Sequence, residues 1–179
     1  MFPTFFTPHF VLREIQSGDI AQIQRGMSDP RFLAQYGVAC DAQDISHIQM
    51  AWQHELQEEQ EGLWWGIAPL DLPEQLIGAC GFNDWDRANR CVELDYWLLP
   101  DYWGAEVMAE CLVPVIDQAL GAMAVHRVEA VVEPENPACG QLLETLGFTH
   151  EGTRRECEFR AGRYIDLDYY GLLAHEWTH

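Results

Sequence analysis

One strand, turn and helix segment in the middle of the chain constrains the fold most strongly. A β-rich run from Val92 to Leu98 ends before Pro100, and Gly104 precedes an apolar helical pattern that stops at Gly121. Pro114 lies inside this pattern and predicts a kink. Such helix starts bind anions, because free backbone N–H groups and the helix dipole point at the turn. We therefore expect a ligand beyond the end of this strand.

The rest of the chain alternates between strand and helix patterns, with no internal repeat or linker. Helical patterns follow the turn at Ser17 to Asp19, begin again at Asp44, and start at Pro137 after the capping residue Asn136. The order β-α-α-β-β-β-α-β-α-β-β predicts a single mixed α/β domain over residues 1–179. The β-rich runs are Phe10 to Ile15, Leu63 to Ala68, Leu76 to Phe82, Val92 to Leu98, Arg127 to Val132, Phe148 to Phe159 and Tyr164 to Leu173.

The charge of the chain restricts its partners. No lysine occurs, and 10 arginines against 29 acidic residues leave a formal net charge of −19. A polyanion of this kind repels nucleic acid and anionic membranes and attracts cationic targets. No apolar run approaches the roughly 20 residues that span a bilayer, and the start of the chain lacks signal-peptide features. We therefore expect a cytoplasmic protein without nucleic-acid or membrane partners.

Residue types that bind metals do not form a metal motif in this sequence. Two carboxylates come close together at Asp84–Asp86 and again at Asp166–Asp168, but neither pair continues with the acid spacing and glycine of a calcium loop. We predict no bound metal ion. No CxxC pair or short repeated spacing occurs, so we expect six reduced thiols, at Cys40, Cys80, Cys91, Cys111, Cys139 and Cys157.

Eight segments stand in an order and spacing that is found in one known family. They are Val11–Arg13, Ile77–Phe82, Glu93–Pro100, Tyr102–Gly104, His126–Asn136, Leu143–Phe148, Glu151–Gly152 and Tyr170–Leu173. Together they resemble the GNAT superfamily of acyl-CoA-dependent N-acetyltransferases, and within it the branch that acetylates ribosomal-protein N-termini. The resemblance covers most of the chain. It implies a strongly twisted mixed sheet of about six to seven strands flanked by about four helices.

The resemblance also implies how the cosubstrate acetyl-CoA binds. Its cleft lies between the splayed fourth and fifth strands, here Val92 to Leu98 and Arg127 to Val132. The pantetheine arm pairs as an extra strand with the backbone at Trp97 to Leu99, and the pyrophosphate accepts hydrogen bonds from the turn and helix start between Tyr102 and Ala109. Asn136 resembles the family's asparagine at the cofactor, although a plain helix cap also explains it. The implied cofactor-binding residues are Trp97, Leu98, Leu99, Tyr102, Trp103, Gly104, Ala105, Glu106, Val107, Met108, Ala109 and Asn136.

Two glutamates are candidates for the general base. An amine that attacks a thioester must lose a proton, and the departing thiolate must gain one. The penultimate strand contains a Glu-aromatic-x-x-Gly run, Glu158–Gly162, that resembles the run carrying the base in the ribosomal branch. The resemblance implies Glu158 as the base, acting through water. An ordinary surface acid beside Arg160 is the other interpretation. Glu93, on the fourth strand where other members place a base, is the second candidate.

The resemblance implies Cys139 as the general acid. The ribosomal branch has a serine three residues after the asparagine of its Glu-Asn pair, and this chain has Cys139 there. A thiol in the first turn of a helix is expected to be more acidic than a free thiol, so it could protonate the leaving group. A small buried residue without a chemical role is an equal alternative.

The phosphate turn departs from the family pattern at two positions. Glu106 replaces the second small residue, and Ala105 stands where a basic or amide side chain is frequent. A carboxylate about 4 Å from a phosphate charge costs about 1 kcal/mol in water and about 4 kcal/mol at an effective dielectric constant of 20. Three outcomes remain open: Glu106 points outward, Arg87 or Arg90 neutralises it, or CoA binds weakly.

Two functions follow from these observations. The first is an N-acetyltransferase that moves an acetyl group from acetyl-CoA directly to a primary amine, such as the N-terminal α-amine of a ribosomal protein, or to a polyamine. The alternative is a GNAT-fold module with weak or lost acetyl-CoA binding that acts as a binding or assembly protein. A homodimer is compatible with either function.

Overall fold

The computed structural model describes residues 2–32, 62–104, 106–160 and 162–178, and it arranges their strands in one sheet. The predicted helix that begins at Asp44 lies outside these residues. The helices are α1 (Ile20–Met27), α2 (Val107–Leu120) and α3 (Pro137–Thr145). The strands are β1 (Phe5–Phe6), β2 (Phe10–Arg13), β3 (Leu63–Pro69), β4 (Gly78–Asp86), β5 (Cys91–Leu98), β6 (Arg127–Val132), β7 (Thr149–Arg160) and β8 (Arg163–Leu173).

The eight strands form a mixed sheet in the order β1-β2-β3-β4-β5-β6-β8-β7. Neighbouring strands are antiparallel except β5 and β6, which are parallel. The predicted mixed α/β fold is confirmed. The sheet has one strand more than the expected six to seven, because Phe5–Phe6 pairs with Val11–Leu12 as a short edge strand. The predicted fourth and fifth strands are therefore β5 and β6.

The sheet buries apolar side chains on both of its faces. Successive residues of a strand point to opposite faces, so Trp64 and Trp65 of β3 belong to two separate clusters. Trp65 packs in the larger cluster, which also contains the apolar face of α2 and Leu143 of α3. Trp64 packs in a smaller cluster with Ile23 of α1 and Trp97 of β5. The helices thus cover both faces of the sheet.

Helix α2 follows β5 and runs continuously through Pro114. The proline has no backbone N–H, so the helix loses one hydrogen bond at this position but is not interrupted. Packing of the buried Leu112 and Ile116 against the sheet maintains the helix on both sides of it. The helix ends as predicted, where the Gly121 N–H donates to Asp117 O at 2.8 Å. None of the described helices is long and apolar enough to cross a membrane.

Gly81 in β4 lies where β3 approaches most closely, and this predicts a strong effect on stability. A Cβ atom at this position would lie 2.3 Å from Leu63 O and 2.7 Å from Trp64 Cα, and these backbone atoms can move only if β3 and β4 separate. We expect Gly81→Ala to lower the free energy of unfolding by about 3 kcal/mol, measured by urea denaturation. Gly18→Ala is the control, because nothing lies within 4 Å of its added methyl. Equal stability of the two variants would contradict this account of the β3–β4 contact.

Candidate active site

Strands β5 and β6 pair over a short distance and then separate. Their register joins Cys91–Glu93 to Arg127–Glu129 and ends there. Beyond this point β5 continues along β4 and β6 continues along β8, so each strand keeps one neighbour. A cavity of about 600 Å³ opens in the gap. Its walls include the three predicted catalytic residues Glu93, Cys139 and Glu158, which the structure brings to one place.

The backbone of β5 presents groups to this gap that the sheet does not use. The Leu99 N–H donates to Ile77 O at 2.8 Å, which places Leu99, and by alternation Trp97, in the ladder with β4. The backbone N–H and C=O groups of Tyr96 and Leu98 therefore point away from β4, toward the gap. Within the predicted pantetheine-binding segment Trp97–Leu99, only Leu98 directs its backbone polar groups into the gap. Tyr96, just before this segment, does the same.

Two side chains bond to these backbone groups of β5. The Tyr96 N–H donates to Oδ1 of its neighbour Asp95 at 2.8 Å. The indole Nε1 of Trp103 donates to Leu98 O at 2.6 Å, although the Trp103 ring is itself 38% exposed. A ligand that pairs with β5 as an extra strand would exchange these side-chain partners for its own polar groups.

The turn after β5 exposes backbone N–H groups as predicted. A 3-10 turn covers Pro100–Tyr102, and Gly104 has φ +76°, a left-handed conformation that glycine adopts without strain. At the start of α2, the first backbone bond runs from the Glu110 N–H to Glu106 O at 3.1 Å. The N–H groups of Val107–Ala109 therefore lack an acceptor within the helix. They can donate to phosphate oxygens.

The side chains of the predicted cofactor-binding residues contribute less than their backbone. The Tyr102 hydroxyl accepts from Nε2 of Gln75 at 3.0 Å, away from the turn. Trp97 packs in the small cluster, and Val107–Met108 are buried in the main cluster. Ala105 lies outside the described residues. A phosphate at this turn could therefore accept hydrogen bonds from the N–H groups of the helix start. Gly104, which has no side chain, would not obstruct its approach.

Glu106 is exposed at the N-terminus of α2 and makes no capping hydrogen bond. Arg87 and Arg90 lie in the connection between β4 and β5, at the opposite end of β5 from the turn. The length of β5 alone separates them from the turn by about 23 Å. The Arg87 guanidinium lies over the Trp85 ring, 3.9 Å from its centroid. The suggestion that Arg87 or Arg90 neutralises Glu106 is therefore wrong.

Arginines from the β7–β8 hairpin hold three of the carboxylates that line the cavity. Arg160 Nε donates to Oε1 of Glu158 at 2.9 Å, and its Nη1 bonds to Glu133. Arg163 Nη1 lies 3.1 Å from Oε1 of Glu135. These pairs join the hairpin to the segment that follows β6. Across the part of the chain that the structure describes, no three His, Cys, Asp or Glu side chains converge as a metal site would require.

Glu93 is a cavity carboxylate with strongly perturbed acidity. Burial raises the pKa of its carboxyl to about 7, and repulsion from Asp84, Asp95 and Glu129 acts in the same direction. No arginine or histidine pairs with Glu93 within the described ranges. A carboxyl with this pKa is divided between its two forms at neutral pH, which suits a general base.

Asn136 occupies the position directly before α3, as predicted, but its side chain does not bond to the backbone of the helix as a capping side chain would. Asn136 makes no capping bond, and its Nδ2 donates to Sγ of Cys139 at 3.0 Å. Burial raises the pKa of the Cys139 thiol, although hydrogen bonds with Tyr96 and Asn136 oppose the shift. The prediction of a more acidic thiol is wrong, because loss of water around the thiol outweighs the helix dipole.

Comparison with known proteins identifies the family of this chain. An acetyltransferase (GNAT) domain matches residues 9–149. This chain belongs to the GNAT acetyltransferase family. The uncharacterized N-acetyltransferase p20 of Bacillus licheniformis is 32% identical over 179 residues, which are 98% of each chain. The ribosomal protein uS5-alanine N-acetyltransferase of Escherichia coli K12 is 26% identical over 126 residues, 70% of this chain and 64% of that protein. RimJ of Mycobacterium smegmatis, solved with CoA-disulfide, shares the fold with a TM-score of 0.86, 20% identity and coverage of 100% of this chain and 93% of that one.

The GNAT acetyltransferases use acetyl-CoA, and this member is an acetyl-CoA-dependent N-acetyltransferase. The residues of the site fit this cosubstrate. The separation of β5 from β6 leaves room for an extended arm beside Tyr96 and Leu98. The N–H groups of Val107–Ala109, which have no acceptor within α2, complement the charge of a pyrophosphate.

Sequence analysis of this GNAT member missed part of the cavity wall. Asp95 follows Glu93 by two residues, and strand alternation alone would have placed both carboxylates on one face. Tyr96 lies in the Glu93–Pro100 segment, but its place beside Cys139 in the cavity wall depends on how α3 packs against β5. The Arg160–Glu133 contact joins residues 27 positions apart, and no sequence pattern signals it.

The raised pKa of Glu93 predicts a pH-dependent change in the stability of this acetyltransferase. The carboxyl has a pKa of about 7 in the native state against an ordinary 4.5, so the native state binds more protons between these values. The free energy of unfolding therefore falls as the pH rises through this window. We expect Glu93→Gln to raise it by on the order of 2 kcal/mol at pH 8 and to change it little at pH 4.5.

Urea denaturation at both pH values measures this effect. Glu151→Gln is the control, because Glu151 Oε1 accepts from Nη1 of Arg127 at 2.8 Å and removal of this carboxylate should not stabilise the protein. A gain for Glu93→Gln that is the same at both pH values would show that packing, and not ionisation, is responsible.

Proposed function

We propose that this GNAT member transfers the acetyl group of acetyl-CoA directly to the N-terminal α-amine of a basic polypeptide, with Glu93 as the general base. The observation that supports the proposal is the half-buried Glu93 carboxyl, whose pKa is raised to about 7. It lies at the last paired position before β5 and β6 separate. An attacking amine must lose a proton at this place, and a group that titrates near neutral pH can accept it.

The charge of the cavity supports a cationic acceptor. Among the described residues, five carboxylates but two arginines line it. The chain as a whole has a net charge of −19. A field of this sign raises the local concentration of cations and repels anionic acceptors. The similarity to an enzyme that is named for acetylating a ribosomal protein agrees with a basic polypeptide as the acceptor.

Proton affinity favours an α-amine over a polyamine. An α-ammonium group has a pKa of about 7.8, whereas an alkylammonium group resembles lysine at about 10.4. Transfer of the proton to a base with a pKa of about 7 is uphill by about 1 kcal/mol from the first and by about 5 kcal/mol from the second. Glu93 can therefore deprotonate a polypeptide N-terminus at a much lower cost.

Glu93 is a better base than Glu158, which the sequence favoured. Both carboxylates line the cavity, but Oε1 of Glu158 accepts from the guanidinium of Arg160. In the described ranges Glu93 has no such cation. We assign the proton to Glu93, and we assign to Glu158 and its arginine a role in binding the acceptor.

Cys139 is the group that we assign to the departing thiolate. Burial raises its pKa, so the thiol is protonated at neutral pH and has a proton to give. Asn136 Nδ2 donates a hydrogen bond to the sulfur at 3.0 Å. A thiol of this kind is a weak acid, so we expect its contribution to be smaller than that of Glu93.

Paired substitutions test the choice of base. Glu93→Gln should lower kcat for a basic N-terminal peptide by about 100-fold or more, because the amine loses its proton acceptor. The acidic limb of the kcat–pH profile near pH 7 should disappear with it. Glu158→Gln should keep this limb and mainly raise the KM for the peptide. Release of the CoA thiol at saturating acetyl-CoA is the measurement.

The opposite pattern would return the role of base to Glu158: a limb that persists in Glu93→Gln and is lost in Glu158→Gln. A lysine-blocked peptide with a free N-terminus, an N-terminally blocked peptide with free lysines, and a polyamine separate the acceptor classes. Preference for either of the last two would contradict the α-amine assignment while leaving the acetyltransferase activity in place.

The alternative function, a GNAT-fold protein that has lost acetyl-CoA, depends on Glu106. Because this side chain is exposed, solvent and salt screen its repulsion of a phosphate. We expect Glu106→Gln to tighten acetyl-CoA binding by less than about fivefold, and less at moderate than at low salt, by isothermal titration calorimetry. Tightening above about 100-fold, or no binding by the wild type at millimolar ligand, would support the non-catalytic function instead.

A further inference from the structure

Asp95 bonds to a backbone amide of β5 that lies beyond the paired part of β5 and β6. The Tyr96 N–H faces the gap and donates to Asp95 Oδ1 at 2.8 Å. The Asp95 side chain also hydrogen-bonds with the buried Asn83, whose Oδ1 accepts from the Trp64 indole at 2.8 Å. The amide that could donate to a ligand at this position is thus bonded to a carboxylate of the protein itself.

Space beside Asp95 allows its side chain to turn away from this amide, and its hydrogen bond with Asn83 must then rearrange. Its register partner on β4 is Gly81, which has no side chain, and on the other side of β5 the strand pairing has ended. Arginines of the β7–β8 hairpin bind Glu133, Glu135 and Glu158. Within the described ranges no arginine or histidine pairs with Asp95, so its charge is available to a cation that enters the cavity.

Asp95 and Glu93 lie close enough to share one ammonium group. They are two residues apart on the same face of β5, a separation of about 7 Å along the strand, and both line the cavity. An ammonium placed at Glu93 for loss of its proton is therefore within reach of the Asp95 carboxylate.

We propose that Asp95 is a latch that couples the charge of the acceptor to the binding of the donor. The latch is the hydrogen bond between Asp95 Oδ1 and the Tyr96 N–H. When a cationic acceptor enters, Asp95 turns toward its ammonium, and the Tyr96 amide becomes free to donate to a carbonyl of acetyl-CoA, that of the thioester or of the pantetheine arm. The inference rests on the acceptor site proposed above at Glu93.

The relative strengths of the hydrogen bonds explain why the acceptor is needed. A hydrogen bond to a carboxylate is roughly twice as strong as one between neutral groups. A donor carbonyl alone therefore displaces Asp95 poorly, and the ammonium supplies the interaction that compensates the carboxylate. A neutral acceptor leaves the latch closed, which makes Asp95 a determinant of specificity for charge. Donor and acceptor then bind with positive coupling, which by linkage is the same in either order.

Two substitutions at Asp95 separate its hydrogen bond from its charge. Asp95→Ala removes both, so the Tyr96 amide is free from the start. Asp95→Asn keeps an oxygen that can accept from the amide but removes the charge. We expect Asp95→Ala to bind acetyl-CoA about fivefold more tightly than the wild type, and Asp95→Asn to stay within about twofold, by isothermal titration calorimetry without acceptor. Tightening for CoA as well indicates a pantetheine carbonyl, and tightening for acetyl-CoA alone indicates the thioester.

Steady-state kinetics supplies the second arm of the test. Both variants should raise the KM for a basic N-terminal peptide by about tenfold, because both lose the charge that attracts its ammonium. Asp84→Asn is the matched control: it removes the same charge from the neighbourhood of Glu93, and Asp84 does not bond to the Tyr96 amide. It should leave the affinity for acetyl-CoA unchanged.

Three results would overturn the latch. One is equal affinity of wild type and Asp95→Ala for both acetyl-CoA and CoA, and another is weaker binding by Asp95→Ala, which would indicate a structural role. If Asp95→Ala does not fold, wild-type protein labelled with ¹⁵N-tyrosine is titrated with the basic peptide, which should shift the Tyr96 amide signal. A Tyr96 amide signal that does not move is the third result that would overturn the latch. Failure of the wild type itself to bind acetyl-CoA would refute the donor site of the proposed function, a separate result from failure of the latch.

Discussion

The site depends on the separation of β5 and β6 after three paired residues. The two strands can part because each retains a neighbour, β4 or β8, which continues its ladder. The parting leaves polar backbone groups of β5 without a partner strand. Asp95 and Trp103 provide partners for the Tyr96 N–H and for Leu98 O. These two groups therefore already have partners in the free protein, and a cosubstrate gains from them only the difference between its own hydrogen bonds and those it replaces.

Burial around this cavity raises the pKa of two side chains, and the two shifts have opposite consequences for proton transfer. It raises the pKa of Glu93 to about 7 and also raises the pKa of the Cys139 thiol. A raised pKa makes a carboxylate a more effective proton acceptor and makes a thiol a weaker donor. The site is accordingly better built to remove a proton from the amine than to return one to the leaving thiolate. Ionised Glu93 also lowers the stability of the native state above neutral pH.

Local patterns predicted what depends on neighbouring residues, and they failed where distant contacts decide. The bounds of β6 match the predicted run, and α3 starts at Pro137 as expected. The short strand Phe5–Phe6 has too few residues to show a period. The acidity of Cys139 followed a local rule about helix starts, whereas packing around the sulfur reverses it. The shift in the β7–β8 register between Arg154 and Glu158, which helps to place Glu158 in the cavity, is likewise invisible to periodicity.

One strongly acidic chain can bind an anionic donor and a cationic acceptor because their charges meet different parts of the site. In the proposed arrangement the donor's phosphates contact backbone N–H groups at the start of α2, where the helix contributes about half a positive charge. The acceptor's ammonium contacts the carboxylates of Glu93 and Asp95. The strand from Glu93 to Leu98 separates the two regions by about 17 Å, roughly twice the screening length of about 8 Å at physiological ionic strength. Repulsion between the cavity carboxylates and the phosphates is therefore weak, while each charge retains its contacts at short range.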